Sequence, residues 1–383
     1  MAADFLVEPL EQRRLLAASV VTNASGDVRI TSDNSDTDVE IVDTPAGVVV
    51  NVDGQLEATL TTPLRNLTVR TKAGDDSVQV DAPVSGRLQI SLGDGQDTVT
   101  LSDKIDDGSE APVASINLGS GQNALTTLGE LTSLTLVGGN DGNQVDVDGV
   151  SERLNVRLGR GSDHVVIHEV AQSSRISLGS GTSSDVDELY LNGGVGERLN
   201  VSLGNGTNYA HLAANTKLNR INGGRDADHV VIAGMGNQLG SRNTVSLNSG
   251  NDTAEFHAAA YESVAGEAAQ LFIDGVDQLY NGGGVSGIIN AIRETPRLTI
   301  RMGSGDDQLA TSGILSLIND IADDQGYGSE YFSSLSEAGD LIYDYTYGLL
   351  RFVSVDGQSG TDTYDTPGLD VLIESIGTWR NFE

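Results

Sequence analysis

A loop of the form Gly-x-Gly-x-Asp recurs along this chain, each time between two apolar runs. Clear copies hold Gly93, Gly95 and Asp97, then Gly159, Gly161 and Asp163, then Gly303, Gly305 and Asp307. Four kinds of chemistry could use such a loop. Carboxylates and backbone carbonyls could hold calcium, which takes six to eight oxygens. The Gly-rich backbone could cradle a phosphate. The acids could act in pairs on a glycosidic bond. The loop could also only turn a corner, its Asp bonding to nearby backbone.

Phosphate is the weakest of the four. No copy continues into Gly-Lys-Ser/Thr, and no helical pattern follows. The chain has 22 Lys+Arg against 55 Asp+Glu, a formal charge of −33. That sign argues against nucleic acid and anionic membrane surfaces. Cysteine is absent, so disulfides and thiolate metal sites are excluded. No apolar stretch approaches the ~20 residues of a membrane span.

Catalytic acids are not in short supply. Asp75 and Asp76 are adjacent, Asp185 has Asp187 and Glu188 nearby, Asp226 is close to Asp228, and Asp306 precedes Asp307. A solvated acidic face accounts for these runs without catalysis. Arg153, Arg157 and Arg160 lie close in sequence, Arg198 is the one equivalent in the related copy, and Arg175, Arg220 and Arg225 look scattered. His164 and His229 occupy matching places three repeats apart, about 14 Å at sheet spacing, too far for one metal. His164 and His168 on one strand would be about 13 Å apart. The histidines therefore read as isolated surface residues. Tyr190, Tyr209, Tyr261 and Tyr280 would form a sugar-stacking stripe only if they shared a face.

The repeats decide what positions these groups. Aligned on the residue before each loop, the anchors are Leu92, Leu118, Val137, Leu158, Leu178, Leu203, Ile221, Leu247 and Met302. A weaker copy has Thr71 in that place. The steps are 26, 19, 21, 20, 25, 18, 26 and 55 residues. Each copy has an alternating run such as Leu154, Val156, Leu158, then the loop, then a second apolar run such as Val165 and Ile167. Alternation marks strands with one buried face. Strand, corner, strand and loop in about twenty residues make one coil of a solenoid, stable only when stacked. Aromatics at 4% and 47 glycines suit thin stacked layers better than a thick core.

Two resemblances add to this reading. The loops at Leu92–Thr100, Leu158–Val166 and Met302–Ala310 resemble the calcium-binding nonapeptide of RTX proteins, with the first Gly replaced by Leu or Met. That family stacks its nonapeptides into a β-roll with calcium between turns. The resemblance implies Asp97, Asp163, Asp185, Asp228, Asp252, Asp307 and Asp362 as candidate calcium ligands. Asn123 and Asn208 replace Asp in two copies. The RTX pattern needs two nonapeptides per coil at an eighteen-residue step, whereas here there is about one per coil. Calcium and plain corner bonding both remain open. Separately, Phe5–Ser19 resembles the Leu-Glu-x-Arg-x-Leu-Leu leader found near the start of many secreted or surface proteins of planctomycete bacteria. That likeness implies export.

The expected fold is all-β: a right-handed parallel β-helix or β-roll-like solenoid, with a small α-containing insertion near the C-terminus. Expected segments are a leader over 1–20, N-terminal strands or a cap over 21–70, and repeats over 71–313 with an insertion at about 256–297. A helical or mixed insertion over 314–350 and a terminal coil over 351–383 follow. The expected function is a non-enzymatic extracellular or cell-surface structural or adhesive module, with cell-surface polysaccharide or other matrix proteins as partners. The alternatives are a polysaccharide-acting β-helix enzyme and a calcium-dependent export or folding module.

Overall fold

The structure is a computed structural model. It describes residues 18–257 except 107, 109 and 110, residues 296–312, and short pieces within 260–271 and 353–380. The leader-like segment up to residue 17, the expected helical insertion at 314–350, and Tyr261, Tyr280 and Asp362 lie outside the described residues.

The chain folds as a parallel β-helix, a solenoid of about 9 turns with coils of about 21 residues. Each coil contributes one strand to each of two parallel sheets. In the first sheet Asn66–Arg70, Arg87–Ser91 and Val113–Asn117 pair in register, and the column runs on through Arg242–Ser246 to Arg297–Arg301. In the second sheet Ser77–Asp81 pairs with Thr98–Leu101, and that column runs on to Thr253–His257 and Gln308–Ser312. The Gly-rich loop joins the first-sheet strand to the second-sheet strand of the same coil.

The alternation in the sequence becomes inside and outside. Val69, Ile90, Ile116, Leu136, Val156 and Ile176 form one inward aliphatic column, each almost wholly buried. Burial of one such side chain stabilises by roughly 1.5–3 kcal/mol. A single coil cannot gain this, because each inward residue is covered by the coils above and below.

Strand register corrects two anchors. The corner begins at Gly138 and Gly223, not at Val137 and Ile221: Gly138 N donates to Arg157 O at 2.9 Å, and Gly223 N donates to Ser246 O at 2.8 Å. Val137 pairs with Asn117 and Arg157 and faces outward. At Val137 the slip is one residue, which reverses the face a side chain occupies; at Ile221 it is two, so Ile221 still points inward as the last inward residue of its strand. With true anchors at 118, 138, 158 and 178, the central steps are each twenty residues.

The N-terminal end is closed by antiparallel strands. Ala18–Thr22 runs against Asp27–Ser32, the first strand of the first sheet. Asp38–Thr44 begins the second sheet and carries Gly47–Val52 and Gln55–Leu60 antiparallel outside it. These strands cover a sheet edge that would otherwise expose unpaired backbone.

Candidate functional site

The last residue of each corner points into the solenoid. Asp76, Asp97, Asn123, Asn143, Asp163, Asp187, Asn208, Asp228, Asp252 and Asp307 occupy this place, all at most 2% exposed. Each immediately precedes a second-sheet strand, so the regular pairing of those strands stacks the side chains into a column. A glycine enters each corner where successive coils come very close. Gly179 has φ +102°, and a Cβ there would collide with the Gly159 carbonyl oxygen. Only glycine fits both demands.

The column ties coil to coil. Thr37 N donates to Asp76 Oδ1 at 2.9 Å, Asp76 N to Asp97 Oδ1 at 2.9 Å, and Asp97 N to Asn123 Oδ1 at 2.8 Å. The pattern returns as Asn143 N to Asp163 Oδ1 and Asp163 N to Asp187 Oδ1, and again as Asp228 N to Asp252 Oδ1. Asn143 Nδ2 and Asn208 Nδ2 reach the Oδ1 atoms of Asp163 and Asp228, both at 2.8 Å. A second, exposed set runs the other way. Asp75 N donates to Asp36 Oδ1 and Gln96 N to Asp75 Oδ1, so here each coil donates back to the one before.

Of the candidate calcium ligands, Asp97, Asp163, Asp228, Asp252 and Asp307 stand in the buried column. Asp185 does not. Its Oδ2 accepts from Thr182 N at 2.6 Å within a local turn, and Asp187 takes the column position. The extra residues in that corner move the column place two residues on. Sequence reading also passed over Asn143. The signal for both was present: the column residue is always the one just before the second apolar run.

Each corner carboxylate has its Oδ1 on a neighbouring N–H, while Oδ2 of Asp76, Asp97, Asp163 and Asp252 is buried without a hydrogen-bond partner. One such oxygen per coil falls short of the six to eight that calcium takes. Among the described residues no three His, Cys, Asp or Glu converge to hold a metal. A calcium ion would have to recruit main-chain carbonyls as well, so the acidic donors alone do not make the RTX-type cage.

Burial raises these acids. Removal from water lifts Asp163, Asp187 and Asp252 to about 7 and Asp97 and Asp228 to about 6, against an ordinary 3.8. The sign for stability follows. Between about 4 and 7 the folded chain keeps protons that the unfolded chain has released, so stability falls as pH rises through that window. Asp27, Asp33 and Asp81, whose values are lowered mainly by side-chain hydrogen bonds, act oppositely and only below about 3.8. Thermal melting is therefore expected to shift upward on going from pH 8 to pH 5. A melting temperature that stays level or rises with pH would remove the buried-acid account.

The outer face of the second sheet gathers other groups. All five histidines lie on it or at its edge. His164, Glu188, Tyr209 and His229 form one row in register, and Val166, Tyr190, His211 and Val231 the next. His164 Nδ1 lies 2.9 Å from Glu188 Oε2, His168 Nε2 3.0 Å from Asp146 Oδ1, and His229 Nε2 2.8 Å from Glu255 Oε1. Ring centroids of His164–Tyr190, Tyr190–Tyr209 and Tyr209–His229 are 5.6, 5.6 and 5.3 Å apart. The histidines are thus partnered rather than isolated. Desolvation depresses His211, keeping it neutral to lower pH. His164 and His229 remain three coils apart, as their sequence spacing implies.

The fold and its corners define a class: a two-sheet parallel β-solenoid whose coils are tied by buried Asp and Asn side chains. No family model matches the chain, and no curated protein or solved structure is significantly similar to it. No helix among the described residues is long and apolar enough to cross a membrane.

Proposed function

We propose that the chain is a non-enzymatic structural or adhesive solenoid that works outside the cell or on its surface. The observation that carries this reading is the use of the corner acids. Their Oδ1 atoms are engaged on the backbone of the adjacent coil, so the most repeated motif in the sequence builds the rod rather than serving a substrate. The leader resemblance supports export. A solenoid of about 9 stacked coils with two outer sheet faces suits contact with an extended polymer or a matrix protein.

The enzyme reading fares less well on geometry. Glu188 and Glu255 belong to coils three steps apart on the second-sheet face, about 14 Å at sheet spacing. Of the closer outward pair Asp146 and Asp148, about 6.8 Å apart on one strand, Asp146 is already engaged by His168 Nε2 at 3.0 Å. Paired glycosidase carboxylates work at roughly 5–9.5 Å. Incubation with acidic and neutral polysaccharides is expected to release neither reducing ends nor unsaturated products. Turnover of any of them would replace this proposal with the enzyme.

Calcium is the other alternative. Melting is expected to be unchanged by excess EDTA, because protons and backbone donors already satisfy much of the corner. A drop of several degrees in EDTA, restored by added calcium, would assign the corners to the ion and make folding ion-coupled.

A further inference from the structure

The outer face of the first sheet carries charge of the sign that the chain as a whole lacks. Strand parity places an arginine on it in six successive coils: Arg153, Arg175, Arg198, Arg220, Arg242 and Arg297. The first five alternate between two rows and so zigzag along the axis. Arg157 and Arg301 add a second arginine to the first and last of these coils. At the register rows the remaining outward positions in this stretch are Ser, Thr, Asn or Leu. The strand ends add two exposed acids, Glu152 beside Arg153 and Glu197 beside Arg198, the latter acid paired with Lys217 at 3.3 Å. Beyond the stretch an acid enters the rows themselves, where Asp356 is the register partner of Arg301. The opposite face shows the reverse: its outward positions include Asp146, Glu188 and Glu255 and no Lys or Arg.

These guanidinium groups are presented to solvent. Arg153, Arg175, Arg198, Arg220 and Arg297 are exposed, and none enters an ion pair among the described residues. Arg242 is half-buried and donates to Gly240 O and Ser241 O at 3.1 and 2.8 Å. Parity hid this ladder in the sequence, because residues about twenty apart look scattered until the coils stack.

We propose that this face binds an extended polyuronate, a polysaccharide bearing a carboxylate on its successive sugars; the inference rests on the adhesive reading above. Three arguments select that occupant. Arginine's planar fork matches a carboxylate in two parallel hydrogen bonds. The ladder advances one coil per arginine, about 4.8 Å, close to the length of one sugar unit. The Ser, Thr and Asn side chains between the arginines can meet sugar hydroxyls. Salt screens the acids elsewhere on the rod, beyond about 8 Å, and of the two acids at the ladder's edge Glu197 is paired with Lys217. Single-stranded nucleic acid is disfavoured because these outward positions carry no aromatic ring to stack a base.

The test uses the full chain, polygalacturonate as probe, and dextran and single-stranded DNA as comparators. Wild type is expected to bind polygalacturonate at low salt, weakening steeply as salt rises, and to leave dextran unbound. The triple variant Arg175→Asn, Arg198→Ser, Arg220→Asn installs residue types already found at the adjacent rungs Asn155, Ser173 and Asn200. It is expected to bind about tenfold or more weakly with an unchanged melting temperature. Should it fail to fold, the single Arg198→Ser variant is expected to show about a threefold loss. Undiminished binding in the folded variant, no binding by wild type, or equal or tighter binding of DNA or dextran would overturn the proposal. Depolymerisation of the probe that follows the arginines upholds the face and overturns the non-enzymatic reading; an intact, unbound probe overturns the face alone.

Discussion

An Asp163→Ala variant is expected to lose about 2–4 kcal/mol of stability, whereas Asp163→Asn is expected to lose little or even gain. Asp163 Oδ1 accepts two bonds from the preceding coil, from Asn143 N and from Asn143 Nδ2. Alanine removes that acceptor and strands two buried donors, and each orphaned donor costs roughly 1–3 kcal/mol. Part of that loss is offset, because alanine also removes a carboxyl that burial pushes to about 7. Asparagine keeps the acceptor and removes the charge. Asn123, Asn143 and Asn208 already occupy equivalent places, so the amide fits the column. Urea denaturation of the three proteins at pH 7 and pH 5 reads both effects. The Asn variant should also lose part of the pH dependence. An alanine variant as stable as wild type, or an asparagine variant as damaged as alanine, would show that the column does not tie the coils.

Leu158→Asp is expected to be more severe still. Leu158 opens its corner with 6% exposure, and its side chain lies over Gly138, whose missing Cβ would meet Leu158 Cδ2. The change forfeits the burial of a Leu, about 1.5–3 kcal/mol, and adds a buried acid in a column region already rich in acids. No basic group is available inside to pair with it, since the buried residues of these coils are aliphatic, amide, hydroxyl or acidic. Loss of the soluble, cooperatively melting form is the expected result. A soluble variant that melts cooperatively near the wild-type temperature would mean that Leu158 does not face inward.

Much of the fold was legible because a strand's alternation has a period of two and the corner is marked by glycine. Leu154, Val156 and Leu158 state their inward parity without any structure. What failed was local register. An apolar residue usually precedes the loop, which points to Val137 and Ile221 as anchors, yet Gly138 and Gly223 hold that place. Asp185 was preferred to Asp187 for a related reason: the corner there is longer, and counting from the glycines gives a different residue from counting back from the next strand. Position relative to the strand is the better guide, since pairing fixes the strand while a turn can absorb extra residues. The arginine ladder and the partnered histidines were illegible for another reason. They depend on which residues stack across coils, and steps of 20, 24 or 25 residues leave no short motif.

The two bends of each coil behave differently, and the difference has a use. The Gly-rich corner is nearly constant in length, while the far bend, from the second sheet back to the first, takes whatever length the chain supplies. In one coil it is only a pair of register shifts within the strand Ala124–Val137, in another it takes 102–112, and it is where the chain leaves for 258–296 and 313–352. Those last two segments leave from register partners, His257 and Ser312. The rod is in effect a graduated ruler. The points where the chain leaves this seam, His257 and Ser312 among them, are separated by a whole number of coil steps, about 4.8 Å each. A longer stretch between two strands does not move the mark at which the next strand pairs.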